Sequence, residues 1–190
     1  MKSTNKRETI LHVAKELIAV NGFHGTTMAM IADKAGIATG TIYRYFTGKD
    51  ELINELHREL NDRLLRSLMQ DYPLGEPMHE RFLYIGRYFV HYCLAAPFDF
   101  SFLEQFHNSP YGVAYRRELV SNEKTRGPID ELLDEAAREG IIKTLPRTVL
   151  TALIFGPLIG VIRDHILGFN RLDEETISRT AEACWDAIRI

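Results

Sequence analysis

The chain has 190 residues, enough for one domain or two small ones with a sizeable buried core. Apolar residues make up 45% and charged residues 26%, the balance of a soluble globular protein, which excludes disordered and fibrous classes. Two cysteines without ligand spacing exclude a disulfide framework and a zinc site, and the net charge of −3 points to no polyanion partner by itself.

The opening "MKSTNKRETILHVAKEL" breaks its apolar residues with charges, so a cleaved leader is not expected. Ile10, Ala14, Leu17 and Ile18 recur at helical spacing from Thr4 to Val20, and "NGF" stops that helix. "TTMAMIADKAG" predicts a second helix with a threonine N-cap, an apolar side of Met28, Ile31, Ala32 and Ala35, and a stop at Gly36. A gap of a few residues leads to a third, short helix in "ATGTIYRYF". A long fourth helix follows from Thr47 or Gly48 to Tyr72, with Leu52, Leu56, Leu60 and Leu64 as its stripe. Further helices are expected over 79–95, 98–107, about 112–124, 128–140, 146–168 and 173–189, and "GIIKTL" reads as a short extended connector. The run "TVLTALIFGPLIGVI" is shorter than a membrane span needs and is followed by Arg163 and Asp164, so it reads as a buried helix of a cytoplasmic protein with no membrane partner. The fold class is all-α.

Charge is uneven along the chain. Lys2, Lys6, Arg7, Lys15, Lys34, Arg44 and Lys49 outweigh Glu8, Glu16, Asp33 and Asp50 in residues 1–50, leaving +3 there and −6 on the rest. A basic head on an acidic body suits a local polyanion contact.

Two helices joined by a glycine-containing turn, the second short and polar, describe a helix-turn-helix. Its second helix must enter a DNA major groove, which accounts for polar and aromatic side chains where a packing helix would carry leucine. Thr39 and Thr41 offer hydroxyls near the helix start, and Gly40 lets main chain approach DNA without a Cβ. Tyr43 and Tyr45 extend hydroxyl-tipped rings toward phosphates, and Arg44 suits a guanine edge, with Ile42 and Phe46 turned back into the head. Lys49, Thr26 and Thr27 are placed to grip the DNA backbone. Two alternatives stay open: Tyr43 packing partly inward, and Arg44 on phosphate rather than a base.

The stretch "GFHGTTMAMIADKAGIATGTIYRYFTGKDEL" resembles the signature of the TetR/AcrR family of bacterial transcriptional regulators. The matching positions are Gly22-Phe23, Thr26-Thr27, Ile31-Ala32, Ala35-Gly36-Ile37, Gly40-Thr41-Ile42-Tyr43-Arg44-Tyr45-Phe46 and Lys49-Asp50-Glu51-Leu52. Thr39 and Gly48 depart mildly from the commonest residues. The resemblance implies a homodimer of about nine helices per chain, with two heads on a palindromic double-stranded operator. It also implies a dimer bundle made by the last two long helices, and a small-molecule effector that releases DNA. Phosphate contacts would come from Thr27, Tyr43, Tyr45 and Lys49, and base contacts from Thr39, Thr41 and Arg44.

Beyond residue 70 aromatics are dense. Most belong in a core, and a pocket for a largely apolar or aromatic effector would draw on Phe89, Tyr92, Phe102, Phe106, His107 and Tyr111. Glu104 and His107 have the Glu-x-x-His spacing of di-iron bundles, but no two partner glutamates accompany them, so neither metal, cofactor nor catalysis is expected. Dimer contacts are expected from Leu153, Ile154, Leu158 and Ile162 on one helix and Ile177, Ala181, Trp185 and Ile188 on the last, with Pro157 bending the former. The sequence therefore predicts a three-helix DNA-binding head (1–48) and a helical effector-binding and dimerisation body (49–190). Its predicted role is a ligand-responsive repressor; the alternative is a helical small-molecule- or metal-binding protein whose head binds DNA without specificity.

Overall fold

The computed structural model describes residues 6–121 and 127–190, so Lys2, the Thr4 helix start and the far end of the 112–124 helix lie outside the described residues. Among the described residues there are ten helices: α1 (Lys6–Gly25), α2 (Met28–Lys34), α3 (Thr39–Ile42), α4 (Lys49–Gln70), α5 (Met78–Ala95), α6 (Pro97–His107), α7 (Pro110–Ser121), α8 (Pro128–Arg138), α9 (Arg147–Ile166) and α10 (Glu174–Ile188). The all-α class stands, and "GIIKTL" contributes one isolated antiparallel bridge, Ile142 to Arg189.

The chain forms two compact units, which do not divide at residue 48. Among the described residues, those up to 65 together with 96–118 make the first, and 66–95 together with those from 119 onward make the second.

In the first unit, Ile10, Leu11, Ala14 and Ile18 of α1 pack with Ile31, Ile42, Phe46 and the Leu52–Leu60 stripe of α4. Phe102 and Phe106 of α6 complete that core at 0% and 1% exposure. Gly22, at φ 74°, breaks the α1 helix and turns Phe23 edge-on to Phe102 and Tyr111, with ring centroids 5.8 and 5.3 Å away. Asp99 at the start of α6 is 3% exposed. It accepts from Lys15 of α1 at 2.6 Å and from Arg63 of α4. A buried carboxylate held by two cations on two other helices fixes where α6 sits, because losing the carboxylate leaves both cations without their shared counter-charge.

In the second unit, α5 packs against α8, α9 and α10. Gly86 allows close approach to α10: a Cβ there would stand 3.2 Å from that of Ala181. Arg81, 8% exposed, donates to both carboxylate oxygens of Glu135 on α8, at 2.9 and 3.0 Å, and to the Tyr72 hydroxyl at 3.1 Å. Phe82 faces Trp185 at 5.1 Å, and Phe89 faces Phe155 at 5.2 Å.

This packing corrects most of the expected dimer contacts. Ile154, Leu158, Ile162, Ile177, Ala181, Trp185 and Ile188 are all buried inside the single chain, and Leu153 is half-buried. Leu150, Ile154, Leu158 and Ile162 repeat every four residues, so they form one row, and the chain's own α5 and α10 cover it. The outward row of α9 is Thr148, Ala152, Gly156, Gly160 and Arg163, with Val149 and Pro157 beside it. By length and composition α9 is also long and apolar enough to cross a membrane, and only 22% of its most apolar stretch is buried.

Candidate nucleic-acid interface

The α2–turn–α3 segment is fixed by local chemistry. Thr27 caps α2 by accepting from the Met30 amide at 3.2 Å. Gly36, at φ 66°, ends α2: its amide reaches the Asp33 carbonyl and the Ile37 amide reaches the Ala32 carbonyl, each at 3.0 Å. This pair of bonds is a Schellman motif, which turns the chain sharply into α3. Ile42 and Phe46, 0% and 1% exposed, then pin α3 to the first unit's core.

With those two residues inward, the opposite side is presented outward. Ala38, Thr39, Gly40 and Arg44 are exposed, Thr41 is half-buried, and Tyr43 and Tyr45 are 52% and 41% exposed. Arg7 and Arg63 of the same unit pair with carboxylates, whereas the Arg44 guanidinium pairs with no group among the described residues. Gly40 has no positive φ, and a Cβ built on it meets nothing within 4 Å. Nothing inside the protein requires glycine there.

Two expected contacts change. Thr26 is fully buried, its Oγ1 without a hydrogen-bond partner among the described residues, because it precedes α2 facing the core; a phosphate cannot reach it. Thr27, its exposed neighbour, holds the outward position. Lys49 is half-buried, and its ammonium donates to the Phe23 carbonyl, tying the end of α1 to the start of α4. Beside it, the Thr47 hydroxyl donates to Glu51 at 2.6 Å and the Thr47 amide also donates to that carboxylate, which holds the Glu51 carboxyl below its usual range.

The six residues expected to line an effector pocket are divided between the units. Phe102 and Phe106 are core of the first, and Tyr111 packs on that core, because aromatics of α6 and α7 fill the space that α1 and α4 leave. Burial, followed by its 2.5 Å bond to Asp50, pushes the Tyr111 phenol up to about 12. His107 stands edge-on to His57 of α4, centroids 5.6 Å apart. His57 itself is 3% exposed, stacked 3.8 Å from Phe106, with Nε2 unpartnered among the described residues. Burial, then the charges of His107 and Arg58, pushes its imidazole down to about 4. The one signal for His57 in the sequence is its position directly after Leu56, at the edge of the α4 stripe.

Phe89 and Tyr92 lie in the second unit, half-buried. Tyr92 continues a ladder the sequence reading did not single out. Tyr84 and Tyr88 stack at 5.8 Å and Tyr88 and Tyr92 at 6.5 Å, spaced i, i+4, i+8 along α5. Tyr84 donates to the Leu68 carbonyl at 3.2 Å, and the Tyr88 hydroxyl bonds that of Ser67. Among the described residues no three ligating side chains gather as a metal site.

Comparison with known proteins bears directly on this geometry. Residues 10–56 match the family model described as bacterial regulatory proteins, tetR family, and residues 77–189 match the tetracyclin repressor-like C-terminal domain. The fatty acid metabolism regulator protein of Bacillus subtilis is 26% identical over 176 residues, 90% of this chain and 89% of its own. The solved structure of a TetR family protein from Vibrio parahaemolyticus is 30% identical, with a TM-score of 0.77, covering 98% of this chain and 99% of that one. A TetR family transcription regulator from Marinobacter aquaeolei superposes with a TM-score of 0.84 at 22% identity over 97% of this chain and 95% of its own.

Proposed function

Because the chain belongs to the TetR family of bacterial transcriptional regulators, we propose that it works in the cytoplasm as a homodimeric repressor, released from a palindromic operator by a small apolar effector. The relatives are regulators rather than enzymes, and the chain is a helix-turn-helix DNA-binding regulator. The observation that carries the finer reading is the outward set of α3 and the turn after it: Thr39, Gly40, Thr41, Tyr43, Arg44 and Tyr45 stand away from the core that Ile42 and Phe46 enter. Thr27, Tyr43 and Tyr45 contact phosphates, Lys49 with them through its remaining N–H groups, while Thr39, Thr41 and Arg44 face base edges. DNA binding is the work of residues 1–48; effector binding and dimerisation belong to 49–190.

The dimer forms through the outward side of α9, where Ala152, Gly156 and Gly160 let a second copy's helix approach closely, with α10 alongside. Its support is the fourfold spacing of small residues on an apolar helix that its own chain leaves largely uncovered.

The effector is an apolar-chain molecule held beside Phe89, Tyr92 and their neighbours on α5. The Bacillus subtilis relative is named for fatty acid metabolism, so a long-chain fatty acid or its acyl thioester is the first compound to test. Added to the protein bound to its upstream intergenic DNA, one of them releases the DNA at micromolar concentration. If the whole fatty acid and acyl thioester series leaves the complex intact, the proposed effector class is wrong.

A further inference from the structure

The reading segment is unusual in what it lacks. Between Lys34 and Lys49 there is no Asp, Glu, Asn or Gln. In the major groove, Asn and Gln are the side chains that read adenine bidentately, and Asp and Glu accept from the cytosine amino group. Neither kind of recognition is available to α3 or the turn before it. At the start of α3 the exposed groups are short and methyl-bearing, Ala38 and Thr39, followed by Gly40 with no side chain at all. Tyr43 and Tyr45 are exposed beyond them, assigned above to phosphates, and Arg44 is the one outward cation of the segment, its guanidinium unpaired among the described residues.

Gly40 and Arg44 are four residues apart on the side opposite Ile42 and Phe46. Arg44 follows α3 in the turn after Ile42, its amide bonded to the Thr41 carbonyl at 3.2 Å, and stays exposed on the same outward side as the bare Gly40. The absent Cβ brings main chain close to the groove floor, which places the methyl groups of Ala38 and Thr39 within reach of base-pair edges. The only apolar group on that edge is the thymine C5-methyl, and the best bidentate partner for a guanidinium is guanine O6 and N7.

We propose that each operator half-site is read through one guanine, held by Arg44, and through neighbouring thymines whose C5-methyl groups pack on Ala38 and Thr39 beside Gly40, with no bidentate amide contact to adenine and no carboxylate contact to cytosine from this segment. This rests on the DNA-binding reading above and specifies the operator chemistry that reading leaves open.

The test starts by selecting bound duplexes from a randomised double-stranded library with the full-length protein. Chemical substitutions in the selected site follow, measured by fluorescence anisotropy. Replacing thymine by deoxyuridine removes only the methyl group and lowers affinity about fourfold at one or more positions in each half-site. Replacing the guanine by 7-deazaguanine removes N7 and costs the wild type about tenfold, but costs Arg44→Ala nothing further. The inference is overturned if uracil is harmless at every thymine, or if the 7-deazaguanine and Arg44→Ala losses simply add. A selection that enriches no sequence at all overturns the regulator reading itself, and a selected palindrome with uracil-indifferent thymines overturns only this inference.

Discussion

Gly40→Ala separates what the protein needs from what its DNA needs. Gly40 sits exposed in α3 with an ordinary φ, and a Cβ there meets nothing within 4 Å. Alanine in a helix is favoured over glycine by up to about 1 kcal/mol, and neither strain nor a clash opposes it here. For a chain of this size that corresponds to a melting temperature higher by roughly 2–4 °C. On DNA the sign reverses. The added methyl stands at the outermost point of α3 and holds the main chain off the groove, loosening the contacts of Thr39, Arg44 and Tyr43 together. We expect operator affinity to fall at least about tenfold, or ~1.4 kcal/mol. Gly36→Ala is the contrasting control: its φ of 66° makes alanine cost roughly 1–2 kcal/mol, so the head loses stability as well as binding. Thermal unfolding and fluorescence anisotropy on the same preparations read both quantities. Wild-type affinity in Gly40→Ala would refute the close approach, and a lowered melting temperature would refute the claim that nothing in the fold needs this glycine.

Acid should weaken the first unit through His57. Its folded pKa of about 4 lies below the ordinary 6.5, so the unfolded chain takes up a proton that the folded chain refuses. The resulting stabilisation is present above pH 6.5 and is lost as pH falls toward 4, by at most about 3 kcal/mol. His57→Phe, which keeps the stack on Phe106, should flatten that part of the pH–stability curve in urea titrations; an unchanged slope would contradict the assignment. Asp99→Ala leaves Lys15 and Arg63 without their shared carboxylate, and a loss of about 3–5 kcal/mol, a melting temperature lower by roughly 10 °C, is expected. A loss under 1 kcal/mol by calorimetry would mean that the triad does not fix α6. Ala152→Arg, on the outward side of α9, should give monomers in sedimentation velocity with the helical circular dichroism intact. A wild-type dimer that tolerates this change would place the interface elsewhere.

The sequence made the helices legible because their causes are local: Thr27 and Gly36 bound α2, and proline precedes or opens α6, α7, α8 and α9. The outward set of α3 was equally legible, since Ile42 and Phe46 leave only one side free. What failed was deciding which partner covers an apolar side. The row Leu150, Ile154, Leu158 and Ile162 reads the same whether α5 or a second chain packs on it, and only the folded chain shows α5 and α10 there. Thr26 and Thr27 are adjacent hydroxyls, yet the N-cap geometry turns one inward and the other out. Phe102 and Phe106 looked like pocket walls because they follow the aromatic α5, while tertiary packing delivers them to the core of Ile10, Ile42 and Leu52. Asp99, Lys15 and Arg63 are 36 and 84 residues apart in their pairings, beyond any periodicity.

The central claim is sequence-specific DNA binding by the outward side of α3. Fluorescence anisotropy of the purified protein on its own upstream intergenic duplex, titrated with salt and with excess nonspecific competitor, tests it most directly. The account predicts nanomolar affinity that survives competitor at physiological salt, falls steeply as salt rises, and weakens in Tyr43→Ala. Weak binding erased by competitor and indifferent to Tyr43→Ala would contradict it.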